Sequence, residues 1–323
     1  MRVFAVAIIL LAGCPAPPPP PPPRYEPPPP PVVTEPQTPP KVELRTDVDV
    51  GESPMTLVVW RSHLVWTDSA GAIWSMPAGG GSPKQLSDQK TPNFAFKLFL
   101  AGDELFATSR KDVLKIASPD GPVAMAGVLA LADNPIDATG TNDYLYMTMF
   151  KRDEIVRASI AGGAAKKIAS VPRGVLGRNA DTLFVASYST GALVAIPLAG
   201  GPAKTIATGL VRPTAVAADD SRVFVYSEKQ LSIRRIVIAT GEQTVIAEGL
   251  ENADDLVADG AWLYTYSWQP RGQLLRIAKD GGRPPQVLAD NLKSPYSIAF
   301  DGDAIYATVR DQDKIVRIAK AAL

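Results

Sequence analysis

Along most of this 323-residue chain, apolar and polar positions alternate in short runs punctuated by Gly, Asp and Asn. That is the pattern of many short half-buried strands rather than of amphipathic helices. One run recurs. The segments "HLVWTD", "ELFATS", "YLYMTM", "TLFVAS", "RVFVYS", "WLYTYS" and "AIYATV" share an aliphatic marker at Leu64, Leu105, Leu145, Leu183, Val223, Leu263 and Ile305, spaced by 41, 40, 38, 40, 40 and 42 residues. A fixed period of about 40 residues is the mark of a repeat architecture.

Each repeat carries a second short apolar run after its marker, beginning at Ile73, Val113, Ile155, Leu193, Ile233, Leu274 and Ile315. In most repeats a glycine turn follows, as at Gly162-Gly163 and Gly200-Gly201, and then a further β-rich run such as "PAKTIA" or "EQTVIA". An apolar run like "TAVAAD" or "YSIAFD" opens the next repeat. Four strands with hairpin turns per repeat describe a propeller blade. The last repeat lacks a fourth run, and "KVELRTDVDV" at Lys41–Val50 has the alternation to supply it. Pairing the two would close the ring and remove its open edges. The expected fold is therefore an all-β, seven-bladed β-propeller of four-stranded blades over 41–323, closed by an N-terminal strand and preceded by a disordered Pro-rich linker.

The repeat unit "RPTAVAADDSRVFVYS … RRIVIATGEQTVIAEGL" resembles the broad group of bacterial propellers that includes the NHL, YWTD-like and TolB-like repeats. No blade carries a YWTD tetrapeptide, and only "GGGSPKQLS" in the first repeat has the TolB-like turn. The resemblance implies a propeller and leaves the partner open.

Ahead of the repeats, Met1-Arg2 precedes an apolar run from Val3 to Leu11 that ends in Ala12-Gly13-Cys14. This reads as a secretory signal over 1–13. About nine residues of helix at 1.5 Å each do not cross a hydrocarbon core of roughly 30 Å. The residues "LAGC" resemble the lipobox of bacterial lipoproteins, which implies cleavage before Cys14 and a covalent diacylglycerol on its thiol. Prolines dominate 15–40, so 14–40 is expected to be an extended linker without helix or sheet. By the lipobox resemblance the protein is expected in the bacterial cell envelope, held by its lipid on a membrane, the outer membrane, and facing the periplasm or the surface.

Charge and composition narrow the chemistry. The formal net charge is zero, so no basic footprint for nucleic acid exists. One histidine and one cysteine leave little for nucleophilic or acid–base catalysis. His63 lies in a turn at the end of a blade away from the expected site. In a propeller the innermost strands and the loops between second and third strands share one face, where loops converge. Counting eight residues back from each marker gives the mouth positions Thr56, Lys97, Asp137, Val175, Ala215, Asp255 and Ser297, with Asp254 and Tyr296 just before two of them. The loops between second and third strands add Arg110, Phe150, Arg152, Trp268, Arg271 and Arg310, residue types favoured at protein interfaces.

Two functions follow from these residues. One is a non-catalytic binding or scaffold platform for another envelope protein or a glycan, without a cofactor. The other is a metal-assisted envelope hydrolase or lactonase, with Asp137, Asp254 and Asp255 holding Ca²⁺ or another divalent cation. Against the second stands a plainer role for Asp137 and Asp255, capping turns or pairing with Lys97 or Arg173.

Overall fold

A computed structural model describes residues 45–51, 53–87, 97–121, 126–131, 133–268 and 271–323. The signal segment, Cys14, the Pro-rich stretch and Phe96 lie outside the described residues. Seven four-stranded antiparallel sheets form the blades of a propeller. The first strands of blades I to VII are Pro54–Trp60, Lys97–Ala101, Pro135–Gly140, Gly174–Arg178, Pro213–Ala218, Leu256–Asp259 and Pro295–Phe300. Each first strand pairs with the marker-bearing strand that follows it, and the first strands of successive blades lie against one another around the axis. The only helical elements among the described residues are single 3₁₀ turns at Arg310–Gln312 and Lys320–Ala322.

The ring closes with chain from both ends. Arg45–Asp49 pairs antiparallel with Lys314–Ala319 as the outer strand of blade VII, with Val48 opposite Ile315. The Val50 N–H continues the ladder to the Asp313 carbonyl at 3.0 Å. The fourth strand of blade I is only Lys84–Gln85.

Among the described residues the apolar core is divided rather than single. Seven apolar clusters each join one blade to the next, for instance Phe99, Phe106 and Val113 of blade II with Leu145, Met147 and Val156 of blade III. The residue after the marker is aromatic in six repeats, Phe106, Tyr146, Phe184, Phe224, Tyr264 and Tyr306, and every one is buried. Each such burial contributes about 1.5–3 kcal/mol, so the repeated aliphatic–aromatic pair is the sequence signal for blade stacking. The first strands approach so closely that glycine is required in places. A Cβ on Gly177 of blade IV would sit 2.5 Å from Val216 Cγ1 of blade V, and one on Gly140 would sit 2.3 Å from Ala101 Cβ.

Four first strands begin with proline and then lose register with their partner, between Pro54 and Leu57, Pro135 and Asp137, Pro213 and Ala215, and Pro295 and Ile298. Proline offers no N–H to the ladder. The resulting bulges re-aim the side chains that follow, and these are the residues around the channel mouth.

Candidate site at the channel mouth

A cavity of about 770 Å³ opens where the first strands begin, and all seven mouth positions line it: Thr56, Lys97, Asp137, Val175, Ala215, Asp255 and Ser297. Asp254, Tyr296 and Phe150 line it too, together with Tyr266, which the count back from the marker did not single out. The wall contributed by blades III to V is largely apolar, with Ile136, Phe150, Val175, Leu176 and Val216. The wall of blades VI, VII, I and II is largely polar.

A first strand has no strand on its inner side, so its inward N–H groups need other acceptors. The mouth positions supply them across blade boundaries. The Ile298 N–H donates to Asp255 Oδ2 at 2.8 Å, and the Ser297 hydroxyl donates to the same oxygen at 3.1 Å. The Leu57 N–H donates to Ser297 Oγ at 3.3 Å, and the Leu98 N–H to Thr56 Oγ1 at 3.3 Å. The Lys97 ammonium pairs with Asp137 Oδ1. The Leu176 N–H donates to Asp137 Oδ2 at 2.7 Å. Five consecutive boundaries, from VI–VII round to III–IV, are thus bridged by one equivalent side chain per blade. Val175 and Ala215 carry no acceptor, so the two boundaries of blade V lack this belt.

The belt explains the carboxylates. Asp137 pairs with Lys97 and also accepts the Ala138 N–H at 2.8 Å, whereas Arg173 lies elsewhere. Burial alone would weaken the charge on Lys97, but Asp137 and Asp255 more than offset it and hold its pKa above the ordinary lysine value. Burial pushes the Asp255 carboxyl above the usual aspartate value, against the pull of the Ile298 N–H and Lys97. Burial with the nearby Asp255 and Asp254 charges raises the Tyr266 phenol well above its ordinary value. No three His, Cys, Asp or Glu side chains among the described residues are grouped to hold a metal ion. Beside Asp137, the place a cation would take is filled by the Lys97 ammonium.

Asp254 differs from its neighbours. It is open to the cavity and accepts one hydrogen bond, from Thr214 Oγ1 at 2.7 Å. Desolvation raises its pKa, with Glu228 adding in the same direction and Thr214 opposing.

A ladder of rings and guanidinium groups runs along the rim from blade III across blade IV to blade V. Arg173 lies over Phe150 at 5.4 Å and over Tyr188 at 5.1 Å, and Arg212 lies over Tyr188 at 5.6 Å. The Tyr188 hydroxyl reaches Glu228 Oε2 at 3.4 Å, and Glu228 faces Arg212 at 3.9 Å. Arg173 and Arg212 both adopt left-handed backbone, with φ of 45° and 53°, a conformation unusual for arginine. The residue five beyond each marker forms the rim: Ser69, Arg110, Phe150, Tyr188, Glu228, Trp268 and Arg310. Sequence reasoning named four of these and missed Ser69, Tyr188 and Glu228, which the same count would have found.

The remaining rim residues are spread around the mouth. Phe150 is 47% exposed and Trp268 37%. Trp268 Nε1 donates to the Pro295 carbonyl at 2.9 Å, so one edge of that ring is engaged. The Arg310 guanidinium lies 5.3 Å from the Tyr296 ring centre. Arg110, Arg152 and Arg271 are exposed on turns between second and third strands. His63 stands at the far end of blade I, its Nδ1 2.9 Å from the Arg61 carbonyl and its Nε2 3.2 Å from Asp120.

No protein-family model matches this chain, and no curated protein does. Solved structures do. The virginiamycin B lyase of Staphylococcus aureus superposes with a TM-score of 0.71 at 16% identity, over 85% of this chain and 98% of the lyase. A catalytically inactive histidine-to-alanine variant of that lyase, solved with quinupristin, gives 0.67 at 16% identity, over 85% and 98%. A chain of the nidogen/laminin complex gives 0.54 at 18% identity, over 68% and 89%. At such identities the likeness is one of fold.

Proposed function

We propose that this protein is a non-catalytic binding protein of the bacterial envelope, tethered by a lipid on Cys14 and presenting its channel-mouth face to another envelope protein or a glycan. The observation that carries the proposal is the division of labour at the mouth. The side chains best suited to chemistry, Lys97, Asp137 and Asp255, hold blades together through the belt. Beside them stand an open cavity of about 770 Å³ and exposed Phe150 and Trp268. That volume lies within the range of ligand pockets, and aromatic and arginine side chains are the common anchors of interfaces.

Lyase activity is not part of the proposal. The inactive variant ties that enzyme's activity to a histidine, and the single histidine of this chain lies outside the cavity. A divalent cation at Asp137, Asp254 and Asp255 is not part of it either, because Lys97 takes the cation position beside Asp137.

Site-specific crosslinking in cells from the rim, at Arg152 and Arg271, tests the reading. We expect a discrete crosslinked partner that is lost when Phe150 and Tyr188 are both replaced by alanine. A crosslink pattern unchanged by that double substitution overturns it. Cys14→Ser is expected to abolish incorporation of labelled fatty acid, and normal labelling of the variant would refute the anchor.

A further inference from the structure

The cavity has a charge and a shape that together specify a ligand. Its described lining carries four carboxylates, Asp68, Asp137, Asp254 and Asp255, and one ammonium, Lys97. Three of the carboxylates are held by the fold. Asp68 accepts the N–H groups of Ala70 and Ala72 at 2.9 and 2.8 Å and Trp74 Nε1 at 2.8 Å. Asp137 and Asp255 belong to the belt. Asp254 alone faces the cavity without a cationic partner among the described residues, its only hydrogen bond coming from Thr214. A concave site lined by one sign of charge concentrates ions of the other sign.

The opposite wall is apolar. Ile136, Phe150, Val175 and Leu176 form it, and Ile136 and Phe150 are exposed. A small hydrated metal ion would gain nothing from that wall, and the carboxylates do not converge as metal ligands. An organic cation with an apolar body uses both halves. The mouth already accommodates cations over rings, Arg310 over Tyr296 and Arg173 over Phe150.

We infer that the cavity binds an amphipathic primary amine, with its ammonium on Asp254 beside Tyr296 and its apolar body against Ile136, Phe150 and Val175. The ligand is either a free amine or a lysine side chain or amino terminus presented by a partner. This rests on the binding function proposed above and assigns the chemistry of that same site.

Three probes with one apolar body test it: 4-phenylbutylamine, 4-phenylbutanol and 4-phenylbutyrate, titrated into the folded protein at neutral pH and followed by NMR. We expect the amine to bind about tenfold or more tightly than the alcohol, the scale of a charge-assisted hydrogen bond, and the acid not to bind. In Asp254→Asn the amine should fall to the affinity of the alcohol, with alcohol binding unchanged; that retained binding shows the cavity intact. Equal binding of amine and alcohol, a preference that survives Asp254→Asn, or no binding of any probe overturns the inference. None of these results bears on the rim crosslink, so the two readings fail separately. If the amine preference holds, a lysine-bearing peptide and its acetylated form distinguish a presented side chain from a free amine.

Discussion

Five blade boundaries and two others solve the same problem differently. From VI–VII round to III–IV, a polar mouth residue crosses the boundary to the next blade's first strand, or, as Lys97 does, to its carboxylate. At IV–V and V–VI the mouth residues are Val175 and Ala215, and the boundary relies on close approach and on the rim. Gly177 lets blade IV meet Val216 of blade V. Arg173, Tyr188, Arg212 and Glu228 stack above, and Thr214 reaches Asp254 across V–VI. One position in the repeat therefore does two jobs. Where it is polar it secures the ring, and where it is apolar it leaves a wall and, among the described residues, a carboxylate without a cationic partner facing the cavity.

Substitutions can break that contrast. Asp137→Ala should have the largest effect. It orphans the Leu176 N–H and leaves Lys97 without its partner; because Lys97 is 40% exposed to the cavity, the loss should be about 2–3 kcal/mol rather than that of a fully buried pair. In a thermal melt of a domain this size that is a fall of about 3–5 °C. Gly177→Val attacks the unbelted boundary by overpacking and should destabilise by about 1–3 kcal/mol, read by urea unfolding, without altering Lys97 or Asp137.

Ser297→Ala removes one acceptor from the belt and should reduce stability by about 1 kcal/mol in the same measurement. Ala215→Ser offers an oxygen to the Leu256 N–H at a boundary that lacks one, and should stabilise by about 0.5 kcal/mol or less. A loss of stability there would show that the belt cannot be extended to V–VI.

Asp254 also carries a pH dependence of definite sign. Its folded pKa is raised above the ordinary value of 3.8, so the folded state takes up its proton before the unfolded chain does. The stability associated with that proton is present below 3.8 and lost as pH rises through the raised value. Asp254→Asn should therefore be more stable than the parent at pH 7, and the difference should shrink on acidification through that window. Asp219 and Asp301, whose pKa values are lowered, act in the opposite direction but are common to both proteins and cancel in the comparison. Paired urea titrations at pH 7 and near pH 4 measure it.

Much of the fold was legible in the sequence because its signals are periodic. The aliphatic marker repeats with each blade and the aromatic after it and the turn glycines with most, and the strand within Lys41–Val50 pairs with blade VII as its alternation implied, over Arg45–Asp49. The mouth positions were also found by counting, since one register placed all seven on the cavity. Their partners were not legible. The bond from Asp137 to Leu176 spans 39 residues and crosses a blade boundary, and nothing local in "NPIDATG" announces it. Arg173 and Arg212 escaped notice as rim residues because their placement depends on left-handed backbone, which arginine does not advertise as glycine would.

The central claim is that equivalent-looking aspartates at the mouth have different jobs, Asp137 holding the ring and Asp254 facing the ligand. Thermal melts of Asp137→Ala and Asp254→Ala, run side by side at pH 7 without ligand, test it most directly. The account predicts a melting temperature lowered by about 3–5 °C in the first and unchanged or raised in the second. Equal losses in both, or an unchanged melt for Asp137→Ala, would contradict it.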